Sequence, residues 1–209
     1  MTKRSIVLCC LMILAVVIAT AFYAPALPER IPVHWNFQGH VDGYGARASV
    51  WLLPLTMVGI LLLAVVLPKI SPRDYQVDTF ASTYSYLFTI VMALLAGVDV
   101  LMLHSILTGA ADFRNLMPAL MFVMLILMGN PMGKVRRNFF MGIRTPWTLA
   151  SERVWYATHR LAGKLMVVSG ILGLLAVWIG APRWVDALFG FGWVVVVILY
   201  SLVLDKRAP

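Results

Sequence analysis

Side chains able to act as ligands, acids, bases or anion binders concentrate in two short stretches of an otherwise apolar chain. The first, residues 31–45, reads IPVHWNFQGHVDGYG and carries His34, His40 and Asp42, residue types that ligate divalent metals. Their spacing does not by itself bring three ligands to one point in a loop, so no bound metal is expected. Two other readings stay open. In one, Asn36 and Asp42 bond the loop's own backbone while Trp35 and Tyr44 anchor it at a membrane interface. In the other, the loop presents a ligand-contacting surface. Pro32, Gly39, Gly43 and Gly45 punctuate the run, and Asp42-Gly43 is expected to form a turn.

The second stretch, residues 130–160, reads NPMGKVRRNFFMGIRTPWTLASERVWYATHR, with Glu152 its one acidic residue. Arg136, Arg137 and Arg144 suit anionic lipid headgroups, and Phe139, Phe140, Trp147 and Trp155 suit the membrane boundary. The alternative is a docking surface for a cytoplasmic protein or acidic ligand, built from planar guanidinium donors and aromatic anchors. His159, Glu152, His34 and Asp42 are capable of acid and base chemistry. Yet the chain has no zinc-protease helix motif, phosphate-binding glycine loop or nucleophile elbow. It is read as a non-enzyme with no cofactor. An intramembrane or metal-dependent enzyme is one alternative. A small-molecule or ion transporter is another, though no paired interrupted helices or inverted repeat mark it.

The elements that must hold these stretches are set by composition. Hydrophobic residues make up 61% of the 209 positions and charged residues 12%, too little polar surface for a water-soluble domain, so lipid must be the solvent. Six runs approach the roughly 20 apolar residues that a membrane-crossing helix needs: 5–28, 48–68, 79–111, 115–133, 165–182 and 187–204. The first resembles a signal peptide near Ala19-Thr20-Ala21 but stays apolar to Leu27, so it is read as a retained span. Cys9 and Cys10 inside it are expected to be buried, inert thiols. The fold class is all-α: a polytopic membrane protein of six transmembrane helices, with an interfacial helix before the fifth span. Residues 1–209 form a single membrane domain.

The net charge of +8 is explained by position rather than by a nucleic-acid partner. Placing the N-terminus inside puts thirteen basic residues on the inner side, from Lys3 and Arg4 through Lys69 and Arg73 to Lys206 and Arg207. The outer loops then hold only Arg30, Arg47, Arg114 and Arg183. Both termini are therefore expected in the cytoplasm, with residues 29–47 an extracytoplasmic loop and residues 131–159 a cytoplasmic one. These connections are too long for simple turns, which makes them the expected seats of function.

Asp99 interrupts the third run, and an ionisable group at membrane depth invites a functional hypothesis. Counting from a cytoplasmic entry near Thr79 puts it toward the hydrated outer end, where a hydrogen-bonding role is expected. In the inner loop, Thr145 before Pro146 resembles a helix N-cap, and Ser151 before Glu152 offers another start. Either puts Trp155 and His159 on one helix face. Gly163, Gly170 and Gly173 are expected to permit close helix packing.

The run GIRTPWTL over residues 142–149, followed by Ser151-Glu152, Val154-Trp155, Thr158-His159-Arg160 and Ala162-Gly163, resembles the signature of the SdpI family of bacterial membrane proteins. Gly129-Asn130 and Arg137-Asn138 fit it too. The outer loop resembles a small domain of unknown function found at the N-terminus of many members, through Pro32, His34, Asn36, Gly39, Asp42 and Gly43. The resemblance implies a protein of the bacterial plasma membrane that gives resistance to a secreted, membrane-active toxin peptide and sequesters a cytoplasmic repressor. Expected partners are thus membrane lipids, toxin and repressor. The six outer-loop residues are the candidate binding positions on one side. On the other are Asn130, Arg137, Asn138, Gly142, Arg144, Thr145, Pro146, Trp147, Thr148, Glu152, Trp155, His159 and Arg160.

Overall fold

The computed structural model describes residues 1–72, 75–109 and 113–206. Arg73 and Arg207 of the charge asymmetry, and Ala111 at the end of the third run, lie outside the described residues. Among the described residues six helices are long and apolar enough to cross a membrane: Lys3–Ala26, Arg47–Ile70, Val77–Thr108, Arg114–Met132, Glu152–Trp178 and Arg183–Lys206. The chain is a multi-pass, predominantly helical membrane protein.

The regular elements are α1 (Lys3–Tyr23), β1 (Arg30–Trp35), β2 (Val41–Ala46), α2 (Leu52–Val66), α3 (Ala81–Thr108), α4 (Phe113–Met132), α5 (Pro146–Ala150), α6 (Glu152–Trp178) and α7 (Arg183–Lys206). Local chemistry sets several ends. The Thr2 hydroxyl caps α1 by accepting from the Ser5 amide. Gly109, at φ +67°, closes α3 in the left-handed conformation, and Gly180, at φ +68°, follows α6 in the same way. The two N-cap signals in the inner loop are both used. Thr145 and Thr148 form a capping box on α5, and Ser151 then caps α6.

The fifth apolar run begins at residue 165, but its helix begins at Glu152. A helix need not stop where charge appears, provided that the charged residues share its open side. Arg153, Arg160 and Lys164 are exposed, while Val154, Trp155, Thr158, His159 and Ala162 are buried.

The β hairpin, the end of α3 and the starts of α2, α4 and α7 share one end, here the hairpin end. The start of α1, the starts of α3 and α6, the end of α4 and the later part of α7 share the other, the basic end, with the loop before α5. A core of Phe80, Tyr84, Met132, Trp155, Met166 and Val197 fills the basic end. Leu27, Ile31, Val50, Met102 and Leu103 fill the hairpin end. Tyr84 ties α3 to α2 by donating its hydroxyl to the Ala64 carbonyl at 2.9 Å.

Three sequence expectations are corrected. Residues 31–45 are a two-stranded antiparallel hairpin rather than a strandless loop, and Asp42-Gly43 lies inside β2 rather than at its turn. Strand pairing uses these residues because backbone groups in so long a connection need partners. Cys10 is exposed, since it lies next to the buried Cys9 and so on a different helix face. Asp99 is fully buried rather than hydrated, because α1 packs over it: fully buried Thr20 is its neighbour. The Thr20 hydroxyl faces the Asp99 carboxyl group, and neither bonds to any other described residue.

Candidate functional site

At the basic end the loop between α4 and α5 is held by side chains that turn inward. Asn138, fully buried, donates from its amide nitrogen to the Arg136 and Met141 carbonyls at 2.9 and 3.1 Å. Its oxygen accepts from the Phe140 and Met141 amides, both at 2.8 Å. One side chain thus replaces the backbone pairing that an irregular loop lacks. His159 is also fully buried and stacks on Trp155, with ring centroids 4.0 Å apart. Its Nε2 accepts from the Ile143 amide at 3.0 Å, so the proton sits on Nδ1, which donates to the Trp155 carbonyl at 2.8 Å. Trp155 Nε1 donates to the Val135 carbonyl at 2.8 Å.

Gly142 lies over this ring at φ +99°, where a Cβ would run into His159 Nε2. Thr148 is buried as well, donating to the Ile143 carbonyl at 2.8 Å, and Pro146 opens α5 beside it. Arg137 donates to the Leu149 carbonyl at 2.9 Å, stacks over Tyr75 and approaches Glu152 at 3.8 Å. Trp147 Nε1 donates to the Ser201 hydroxyl on α7 at 2.8 Å. Arg144 donates to the Phe139 carbonyl at 2.5 Å and remains exposed, as do Asn130 and Arg160. The predicted inner set is therefore brought together, but Asn138, Thr148, Trp155 and His159 spend their polar groups on the chain itself.

Under this loop α4 and α6 cross closely. A Cβ at Gly163 would lie 2.6 Å from the Gly129 carbonyl oxygen, and one at Gly129 would lie 2.7 Å from Met166 Cβ. Gly170 and Gly173 continue the contact against Ile126 and Phe122, as close packing of small residues requires.

At the hairpin end the polar groups face outward. His34 Nδ1 and Asp42 Oδ1 lie 2.5 Å apart across the strands, both well exposed. Gly43 opposes His34, where a Cβ would lie 2.9 Å from the His34 Cβ. The turn is closed by Asn36, whose side-chain oxygen accepts from the Gln38 and His40 amides at 3.0 Å each. Pro32 pairs with Tyr44. Gly39, at φ +82°, lets the turn rest on the start of α4: a Cβ there would lie 2.7 Å from the Arg114 backbone. Among the described residues no group of three His, Cys, Asp or Glu is placed to hold a metal ion.

Beneath the hairpin is a cavity of about 730 Å³, walled by α2, α3, α4 and α7. This lies within the ~300–1,000 Å³ range of ligand pockets. Most of its wall is apolar, including Met102, Met117, Met121 and Phe122. Its polar wall includes Arg114, Arg183 and Asp186. Arg183 donates to Asp186 at 2.5 Å and to Asn115 at 2.9 Å. Arg183 Nε and Asp186 Oδ1 are buried without a partner among the described residues. In the sequence Arg114 and Arg183 count only as two of four basic residues on the sparsely charged side. Their places at the starts of two apolar runs, with Asp186 three residues after Arg183, are the signal that could have singled them out.

Residues 134–204 match the SdpI/YfhL protein family, and residues 11–58 match a domain of unknown function (DUF1648). The first match covers the inward-turned loop, α5, α6 and most of α7; the second covers most of α1, the hairpin and the start of α2. The chain is 25% identical over 177 residues to the immunity protein SdpI of Bacillus subtilis (strain 168), an alignment spanning 84% of this chain and 81% of that one. No solved structure matches the chain.

Proposed function

Because the chain carries an SdpI-family domain behind an N-terminal DUF1648 domain, we propose that it is an immunity and signal-transduction protein of the bacterial plasma membrane. It gives resistance to a secreted, membrane-active toxin peptide and sequesters a cytoplasmic repressor. Its similarity to an immunity protein supports the first part. The asymmetry of thirteen basic residues against four supports an orientation with the hairpin outside and both termini in the cytoplasm.

The observation that carries this reading is the course of α4. Its first turn bears the hairpin turn at Gly39, and its far end, at Gly129, is locked against Gly163 below the basic loop. A toxin peptide meeting His34, Asn36 and Asp42 therefore acts on a helix that reaches the opposite end. A ligand preferring one hairpin position over another shifts the balance between two arrangements of the bundle. Exposed Phe139, Arg144 and Arg160 are then the groups that meet a repressor.

The test is a toxin challenge of cells with and without the protein, read as survival and membrane potential, with a fluorescent repressor followed in the same cells. Protection is expected to fall in the double variant His34→Ala, Asp42→Ala. Repressor recruitment, but not protection, is expected to fall in Arg144→Ala. Equal survival with and without the protein counts against immunity.

A further inference from the structure

We propose that the cavity below the hairpin binds one anionic phospholipid from the membrane leaflet at the hairpin end, its phosphate held at Arg114 and Arg183 and an acyl chain lying along α4. Three features of the cavity converge on that occupant.

The first is polarity along its length. Along α4 the wall runs from Arg114 through Met117, Met121 and Phe122 to Leu125. At about 1.5 Å per helical residue that stretch covers roughly 16 Å. Half of a bilayer core of about 30 Å is nearly the same depth. The charged residues lie at one end and apolar side chains fill the rest, which is the profile of a single leaflet.

The second is its opening. Leu52 on α2 and Phe191 on α7 line the cavity, yet they are 61% and 71% exposed. Both lie in membrane-spanning segments, where exposed apolar side chains face lipid. The cavity is therefore open sideways between α2 and α7, the route by which an acyl chain enters without crossing water.

The third is charge. Among the described residues, the charged or ionisable lining side chains besides His34 are Arg114, Arg183 and Asp186. These two guanidinium groups outnumber the one carboxylate among them. Both arginines also stand in the first turns of their helices, where the helix dipole favours an anion. Arg183 gives one N–H of each terminal nitrogen to Asp186 and Asn115 and keeps the second on each for an anion. A phosphate matches this donor set and a zwitterionic headgroup matches it less well.

The lipid site stands whether or not the chain confers toxin resistance, because its test reads lipid alone. The full chain is released from nanodiscs of equal parts phosphatidylglycerol and phosphatidylcholine, and its mass is measured with bound lipid intact. One retained phosphatidylglycerol is expected. Arg114→Gln is expected to cut the preference for phosphatidylglycerol about fivefold, the effect of roughly one headgroup-level charge. Gly190 lines the cavity, and a Cβ there meets nothing within 4 Å, so Gly190→Phe fills the space and is expected to abolish retention. Gly59→Phe is the control for the added bulk. Its Cβ is equally unobstructed on α2 outside the cavity, and it is expected to retain lipid like the parent. Absence of retained lipid in the parent, equal retention of the two lipids, or full retention by Gly190→Phe would each overturn the proposal. So would a parent species carrying a peptide mass in place of lipid, which would make the cavity a peptide groove.

Discussion

The two ends of this molecule use polar residues in opposite ways. At the basic end Asn138, Thr148, Trp155 and His159 are buried and bonded to the chain's own backbone, and Gly129 and Gly163 bring two helices into contact beneath them. At the hairpin end His34 and Asp42 are exposed, and the helices part around a cavity of about 730 Å³. The difference teaches that a dense run of distinctive residues can be scaffolding. A buried loop must satisfy its backbone groups, and only particular side chains at particular positions do so. Residues available for a ligand are fewer and lie far apart in the chain.

Breaking the packed end should cost most. Trp155→Ala is expected to destabilise the protein by about 3–5 kcal/mol, since it leaves a cavity under the loop and strands the Val135 carbonyl. Thermal unfolding in detergent would read this, and an unchanged midpoint would show that the basic end is not the tighter of the two. Asn138→Ala follows, at about 2–4 kcal/mol, because four backbone groups lose their partner together. Protease cleavage within residues 133–145 should rise in this variant, and unaltered cleavage would mean that the loop is held by other contacts.

At the hairpin half the expected sign reverses. Asp99 is buried with only the Thr20 hydroxyl to bond among the described residues, so Asp99→Leu should raise stability by about 1–3 kcal/mol by removing a poorly satisfied polar group. A lower unfolding midpoint would reveal a further partner for the carboxyl group and erase this part of the contrast. The smallest effect belongs to the exposed pair. His34→Ala is expected to change stability by less than about 1 kcal/mol while reducing survival under toxin. A large loss of stability with survival intact would make the hairpin a structural roof and nothing more.

Much of the architecture is legible in the amino-acid sequence. Six apolar runs correspond to six long helices, because in lipid a backbone can satisfy its hydrogen bonds only within the segment itself. Thr145-Pro146 and Ser151-Glu152 read as competing helix starts, and both are realised, since a cap needs only the residues beside it. The hairpin is not legible in this way: β1 and β2 carry Pro32, Gly43 and Gly45, residues that mark turns when a segment is taken alone. Their pairing depends on two segments meeting, with Gly43 giving His34 room.

What the sequence determined by itself is therefore whatever a short segment decides alone: where helices run, where they are capped, which side of the chain is basic. Tertiary structure decided whether Asp99 is wet or buried, and whether His159 faces a partner or the Ile143 amide. It also decided that Leu52, Arg114 and Arg183 would line one space. Each of these depends on which helix passes opposite a given residue, and no local period or propensity encodes a neighbour that lies far along the chain.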